Sequence, residues 1–179
     1  MTYRDVLNFW FNEIPSENWF KKDEAFDEDI RRRFGSLHAR AVQGELFEWR
    51  ATIEGRLAEI IVLDQFSRNM YREDLRAFQY DGMALVLAQE AVQAKDAENL
   101  PVEQRAFLYM PFMHSESLKI HDLAMTYFDQ PGLEYSFEYE KKHRAIIKRF
   151  GRYPHRNDIL GRISTPEERA FLTQPGSSF

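Results

Sequence analysis

Three of the five histidines in this 179-residue chain sit at helical spacing among apolar residues. His114 and His121 fall in line with Leu118, Met125 and Phe128, and His143 lies between Tyr139, Ile146, Ile147 and Phe150. The run Ile53, Leu57, Ile60 and Ile61 continues to Asp64 and Arg68, four residues apart and able to pair on one helix face. Asp81 aligns in the same way with Phe78, Leu85 and Ala88. A buried charge is costly unless paired, and a buried imidazole needs partners for its nitrogens. These residues therefore either bond one another between helices, fixing register, or line a cavity. In a cavity, histidine and carboxylate are the usual acid–base parts, which makes His114, His155 and Asp64 the candidate proton-transfer residues. The chain has no cysteine, which excludes thiolate nucleophiles, disulfides and Cys-ligated metals.

A second constellation is basic. Residues 141–162 hold eight Lys and Arg against Asp158 alone, a net +7 that leaves −12 on the rest of a chain whose total is −5. Lys141, Arg144 and Lys148 share a helical face and read as solvated. The segment after Gly151 is different, because Pro154 stiffens it and His155, Arg156 and Asn157 place three donors on a constrained loop. One reading is a pocket for a carboxylate or phosphate, the groups arginine recognises bidentately. The other is that these arginines clamp helix ends or pair with internal acids such as Asp64 and Asp81. In the pocket reading Arg152 and Arg156 bind the anion, Asn157 and Asn69 orient it, Asp64 positions Arg68, and His114 or His155 carries the proton.

Other classes are disfavoured. His114, Glu116, His121, Asp122 and His143 include metal-ligand types, but no His-Glu-x-x-His or paired Glu-x-x-His spacing occurs, so no metal is expected. There is no Gly-rich phosphate loop and no Gly-x-Ser-x-Gly nucleophile elbow, and the sequence leaves the cofactor unknown. The acidic total argues against nonspecific nucleic-acid binding. The densest apolar stretch, Ile60–Leu63, is far too short for a membrane span. The start of the chain lacks the basic end and apolar run of a signal peptide, so the expected location is the cytoplasm.

The elements that must position these residues read as helices throughout. Thr2 with Asp5 forms a capping pair for a first helix to about Phe11. A second runs from Asp23 to Phe34, where Gly35 would end it. A central helix spans about Thr52 to Met70, and a fourth about Leu75 to Ala94. A fifth begins near Val102 and must kink or break at Pro111. The pattern resumes from Ser115 to Phe128. A sixth helix covers about Ser136 to Phe150, with Gly151 as its left-handed cap. Thr165-Pro166-Glu167-Glu168 opens a last one. Strand and hairpin signals are absent. The expectation is a single all-α domain over residues 1–179, with antiparallel helix pairs in a stack or bundle.

Several runs resemble one family: Phe9-Trp10-Phe11 with Trp19-Phe20, Leu63 through Asn69, Tyr109 through Glu116, Arg149 through Asn157 with Leu160-Gly161-Arg162, and Pro175 through Phe179. By these motifs the chain is similar, over nearly its whole length, to the bacterial domain-of-unknown-function family 924. The resemblance implies a tetratricopeptide-like helical fold and no established activity. Its motifs coincide with the polar residues above and point to a shared pocket of Asp64, Arg68, Asn69, His114, Glu116, His143, Arg152, His155, Arg156 and Asn157. Three functional readings follow: binding of a small anionic ligand, a helical scaffold for a peptide or protein partner, and a hydrolase or transferase with a His/Asp acid–base site. Exposed aromatics would be compatible with a homodimer.

Overall fold

The longest uninterrupted buried stretch, Leu57 through Ser67, lies in the middle of the chain and organises everything around it. In this computed structural model, which describes residues Met1–Phe179, it forms most of one continuous rod. The rod consists of α3 (Ile53–Ile61), a π-helical turn (Val62–Phe66) and a last helical turn, α4 (Ser67–Met70). Thr52 caps its start by accepting from the Gly55 N–H at 3.1 Å. A helix that is apolar on more than one face must be covered on each of them. α1 (Tyr3–Asn8), α5 (Asp81–Gln93) and α6 (Val102–Met113) pack on α3, while α2 (Glu24–Val42) packs on the π turn and α4. α5, α6, α7 (Leu118–Phe128) and α8 (Glu134–Phe150) then follow one another, each against the next. The fold contains no strand, and none of its helices is long and apolar enough to cross a membrane.

Aromatic side chains knit the first helices to the rod. Phe9, Phe34 and Phe66 meet with ring centroids 4.7 to 6.0 Å apart, and Trp10 stands edge-on to both Phe66 and Phe107. Such pairs add specificity to the large area that each ring buries. Most polar groups inside are matched. Glu59, fully buried, takes two 2.7 Å bonds from Arg50. His38 donates from Nε2 to Ser67 Oγ at 2.8 Å, because that hydroxyl gives its own hydrogen to the Leu63 carbonyl.

Four expected boundaries move. The first helix is α-helical only to Asn8 and continues as a π turn over Phe9–Glu13. Gly35 does not end α2, which runs to Val42 and gives way to Gly44 at φ +75°. The stripe Ile30, Phe34, Leu37, His38 and Ala41 keeps burying past the glycine, and that outweighs its propensity cost of roughly 1 kcal/mol. The fourth helix is split, with a short 3-10 turn at Leu75–Ala77 before α5 starts at Asp81. Pro111 is absorbed inside α6, whose end comes at His114 instead, and α7 begins only at Leu118. The central helix keeps its expected span but holds a π turn over Val62–Phe66, while the Gly151 cap at φ +71° and the Thr165/Glu168 capping box form as read from the sequence; the box opens α9 (Pro166–Leu172).

Two glycines make opposite predictions. A Cβ at Gly55 would stand 1.9 Å from the Trp49 carbonyl oxygen, whereas one at Gly35 meets nothing within 4 Å. Gly55→Ala is expected to destabilise by about 2 kcal/mol or more, and Gly35→Ala to stabilise by about 0.5–1 kcal/mol. In thermal denaturation that is a fall of several degrees against a rise of about 1–4 °C. Equal shifts for the two would refute the packing described at Gly55.

Candidate functional site

The rod carries Asp64 and Arg68 toward the end of α6, where His114 leaves the helix. Asp64 lies within the π turn, a local widening that is frequent at functional sites. Its Oδ1 accepts from His114 Nδ1 at 2.7 Å and from Arg68 Nη1 at 3.0 Å, and its Oδ2 accepts from Gln65 Nε2 at 2.6 Å. Arg68 reaches across to Asp81 at the start of α5 with two parallel 2.9 Å bonds. Asp81 also accepts from Arg156 at 3.3 Å, and Arg156 donates in turn to the His114 carbonyl at 3.1 Å. The Arg156 guanidinium lies 4.5 Å from the Phe78 ring centroid and 4.6 Å from that of Tyr153. Two aspartates and two arginines thus neutralise one another across three segments distant in sequence.

Beside this cluster opens a cleft of about 960 Å³. It is lined by Trp19, Phe20 and Lys22, by Gln65, Arg68, Asn69, Arg72 and Glu73, and by Phe78, Met110, Met113 and His114. α8 adds Tyr135, Tyr139, Lys142, His143 and Ile146, the following loop adds Tyr153, His155, Arg156 and Ile159, and the tail adds Pro175, Gly176, Ser178 and Phe179. A smaller depression of about 490 Å³ lies alongside, lined by Gln79, Asp81, Gly82, Ser115, Glu116 and Leu160. Phe78, His114 and Arg156 border both spaces. Five cationic side chains line the large cleft against one acid, Glu73, while Asp64 and Asp27 are buried behind it. Asp27 holds Asn69 at 2.7 Å and Arg72 through its guanidinium. Lys142 makes no ion pair and rests 4.8 Å from the Tyr139 ring centroid.

The imidazoles are set up as neutral bases. His114 gives its Nδ1 hydrogen to Asp64, leaving Nε2 without a hydrogen bond. Burial and the Arg68 charge outweigh the Asp64 charge and push the His114 pKa below its ordinary value. Burial would raise the Asp64 carboxyl, but the Arg68 charge and the hydrogen bonds from His114 and Gln65 hold it well below the carboxylate range. His143 donates from Nδ1 to the Tyr139 carbonyl at 2.7 Å and is pushed by burial to about 3. His155 is pushed by burial, then by Arg156, to about 4. Its Nδ1 is enclosed without a partner, as is Arg156 Nε. No group of three or more His, Asp or Glu stands in metal-binding proximity.

The residues singled out from the sequence fall into two sets. Arg68, Asn69, His114, His143, His155 and Arg156 line the cleft, with Asp64 directly behind. Glu116, Arg152 and Asn157 instead lock the loop. Glu116 takes two bonds from Arg162, at 2.7 and 2.9 Å, and one from the Tyr153 N–H at 2.7 Å. Arg152 forks onto Glu168 at 2.7 and 2.8 Å, and buried Asn157 bonds Ser164 and Glu168. Sequence reasoning missed Arg72, Tyr139, Lys142, Tyr153 and Phe179. Tyr139, Lys142, His143 and Ile146 keep the i, i+3, i+4, i+7 spacing of one helix face, and that signal was available.

A profile of the family described as "Bacterial protein of unknown function (DUF924)" matches residues 6–176. A solved structure of a protein of unknown function from Agrobacterium tumefaciens is similar with a TM-score of 0.90 and 37% sequence identity, covering 95% of this chain and 96% of that one. No curated protein matches.

The buried rings predict a pH dependence. In the unfolded chain a histidine takes up its proton near 6.5. Folded His38 waits until about 4 and His143 until about 3, both because of burial. Between those values the unfolded state binds more protons, so stability rises with pH and is lost on acidification from 6.5 toward 4. Each ring contributes a slope of up to about 1.4 kcal/mol per pH unit. Urea midpoints measured from pH 7 to 4 should fall through this window, and His143→Gln should flatten the fall. A midpoint constant from pH 6.5 to 5 would contradict the neutral burial of these rings.

Proposed function

Since the chain belongs to the bacterial DUF924 family, which supplies no activity, we propose from the site itself that the large cleft binds a small organic anion. His114, oriented by Asp64, stands ready to accept a proton from it. The layering of charge carries this reading. Cationic and donor groups line the cleft, and the acids that hold Arg68, Arg72 and Arg156 sit mostly behind them. A guanidinium fixed from behind keeps its field toward the cleft without having to be ordered by the ligand, which lowers the entropic cost of binding. Lys142 adds an uncompensated charge at the rim. Arg156 Nε is an enclosed donor that lacks an acceptor, and an anionic ligand would satisfy it.

In this reading Arg68 and Arg156 set the anion's field, Asn69 and Lys142 direct it, and His143 and His155 provide flat walls. The Asp64–His114 pair favours a second reading, a hydrolase or transferase. A carboxylate that fixes the Nδ1–H tautomer and leaves Nε2 open is the arrangement of a general base. The sequential packing of α5 to α8 supports a tetratricopeptide-like stack as the frame that holds the cleft.

The test is a thermal-shift panel of mono- and dicarboxylates and phosphomonoesters on wild type and Lys142→Ala. Lys142 is exposed, so its loss should leave the unliganded melting temperature within about 1 °C. Wild type should be stabilised by at least one class of acid. Lys142→Ala should bind it about three- to tenfold more weakly, the loss of one partly screened charge contact. No stabilisation by any acid in the panel would overturn the reading.

A further inference from the structure

The tail that closes one side of the cleft is held there in an unusual way. No backbone hydrogen bond is donated beyond the Gln174 N–H, and Ser177 Oγ reaches the Leu172 carbonyl only at 3.3 Å. The Phe179 ring nevertheless enters the cleft and lies flat on His143, with centroids 3.8 Å apart and planes at 23°. Tyr139 and His155 present edges to it at 6.3 and 6.5 Å, and Tyr153 stands edge-on behind His143 at 5.7 Å. Half of Phe179 remains exposed. A ring on a segment tethered by that one long hydrogen bond, lying on one π face and flanked by two further rings, marks a slot whose shape and chemistry suit a planar aromatic group.

The charge around the slot decides what that group carries. Cages for quaternary ammonium ions offer free π faces. Here Lys142 already covers Tyr139, Arg156 covers Tyr153, and Glu73 is the sole acidic side chain on the cleft wall. A second cation would be repelled, whereas an anion would meet Lys142 and the unpartnered Arg156 Nε. We infer that the ligand is a planar aromatic acid, its ring stacked on His143 and its carboxylate or phosphate toward Arg156 and Lys142, and that the Phe179 side chain is an internal occupant which this ring displaces. This rests on the anion reading above and deepens it by naming the ligand class.

Calorimetric titration of wild type and Phe179→Ala with benzoate, phenyl phosphate, cyclohexanecarboxylate, acetate and benzylammonium tests it. Phe179 is half exposed and lies outside every helix, so the variant keeps the fold, which circular dichroism checks. Benzoate or phenyl phosphate should bind at least tenfold more tightly than cyclohexanecarboxylate, which has similar bulk but no π face. Phe179→Ala should tighten the aromatic acid by about three- to tenfold and leave acetate unchanged. Equal binding of flat and puckered rings, or an aromatic affinity unchanged or weakened in Phe179→Ala, overturns the slot while leaving the anion reading standing. Preferential binding of benzylammonium, or no binding of any acid to either protein, overturns both.

Discussion

A carboxylate with 1% of its side chain exposed has to be answered by its surroundings, and Asp64 is that group. Leaving such a charge unpaired would cost several kcal/mol, comparable with a large share of a domain's net stability. The answer comes from three directions. Arg68 arrives from the next turn of the rod, Gln65 from the adjacent residue, and His114 from the end of α6. Arg68 is then committed to Asp81, and Asp81 to Arg156, so the loop after α8 is drawn onto the same point. Satisfying one buried acid therefore fixes the relative positions of the rod, α5, α6 and the basic loop.

The same chain of pairing separates structural from ligand-facing chemistry. Glu168 and Glu116 neutralise Arg152 and Arg162 and give the loop its shape, with the Glu168 carboxyl drawn down to about 2 by its bonds to Arg152. What remains directed at the cleft is a set of rigid cations, three neutral imidazoles and aromatic faces. A neutral imidazole among cations follows from burial, because a third positive charge beside Arg68 and Arg156 would be repelled. A base and an anion site can thus share one wall without neutralising each other.

Much of this was legible in the sequence, and the reasons for the rest are physical. The pairing of Asp64 with Arg68 follows from four-residue spacing, and the all-helical class from the absence of strand patterning. The motif runs from Leu63, Tyr109 and Arg149 pointed to the polar residues that now meet. Spacing could not separate Arg156, which faces the cleft, from Arg152, which is taken by Glu168, because that depends on where α9 docks. Nor could it show that Gly35 is passed through, since only the further burial of Leu37, His38 and Ala41 outweighs its propensity. Phe179 stacks through tertiary contact alone, so the run Pro175 through Phe179 marked its segment but not where the ring goes.

The tautomer and charge of His114 test this account most directly. Nitrogen-15 NMR of histidine-labelled protein at pH 7 should show His114 neutral, with its hydrogen on Nδ1 and a bare Nε2, and Asp64→Asn should disturb that state. A protonated His114 at pH 7, or a hydrogen on Nε2 in the wild type, would contradict it. In either case Asp64 would not be presenting a base to the cleft.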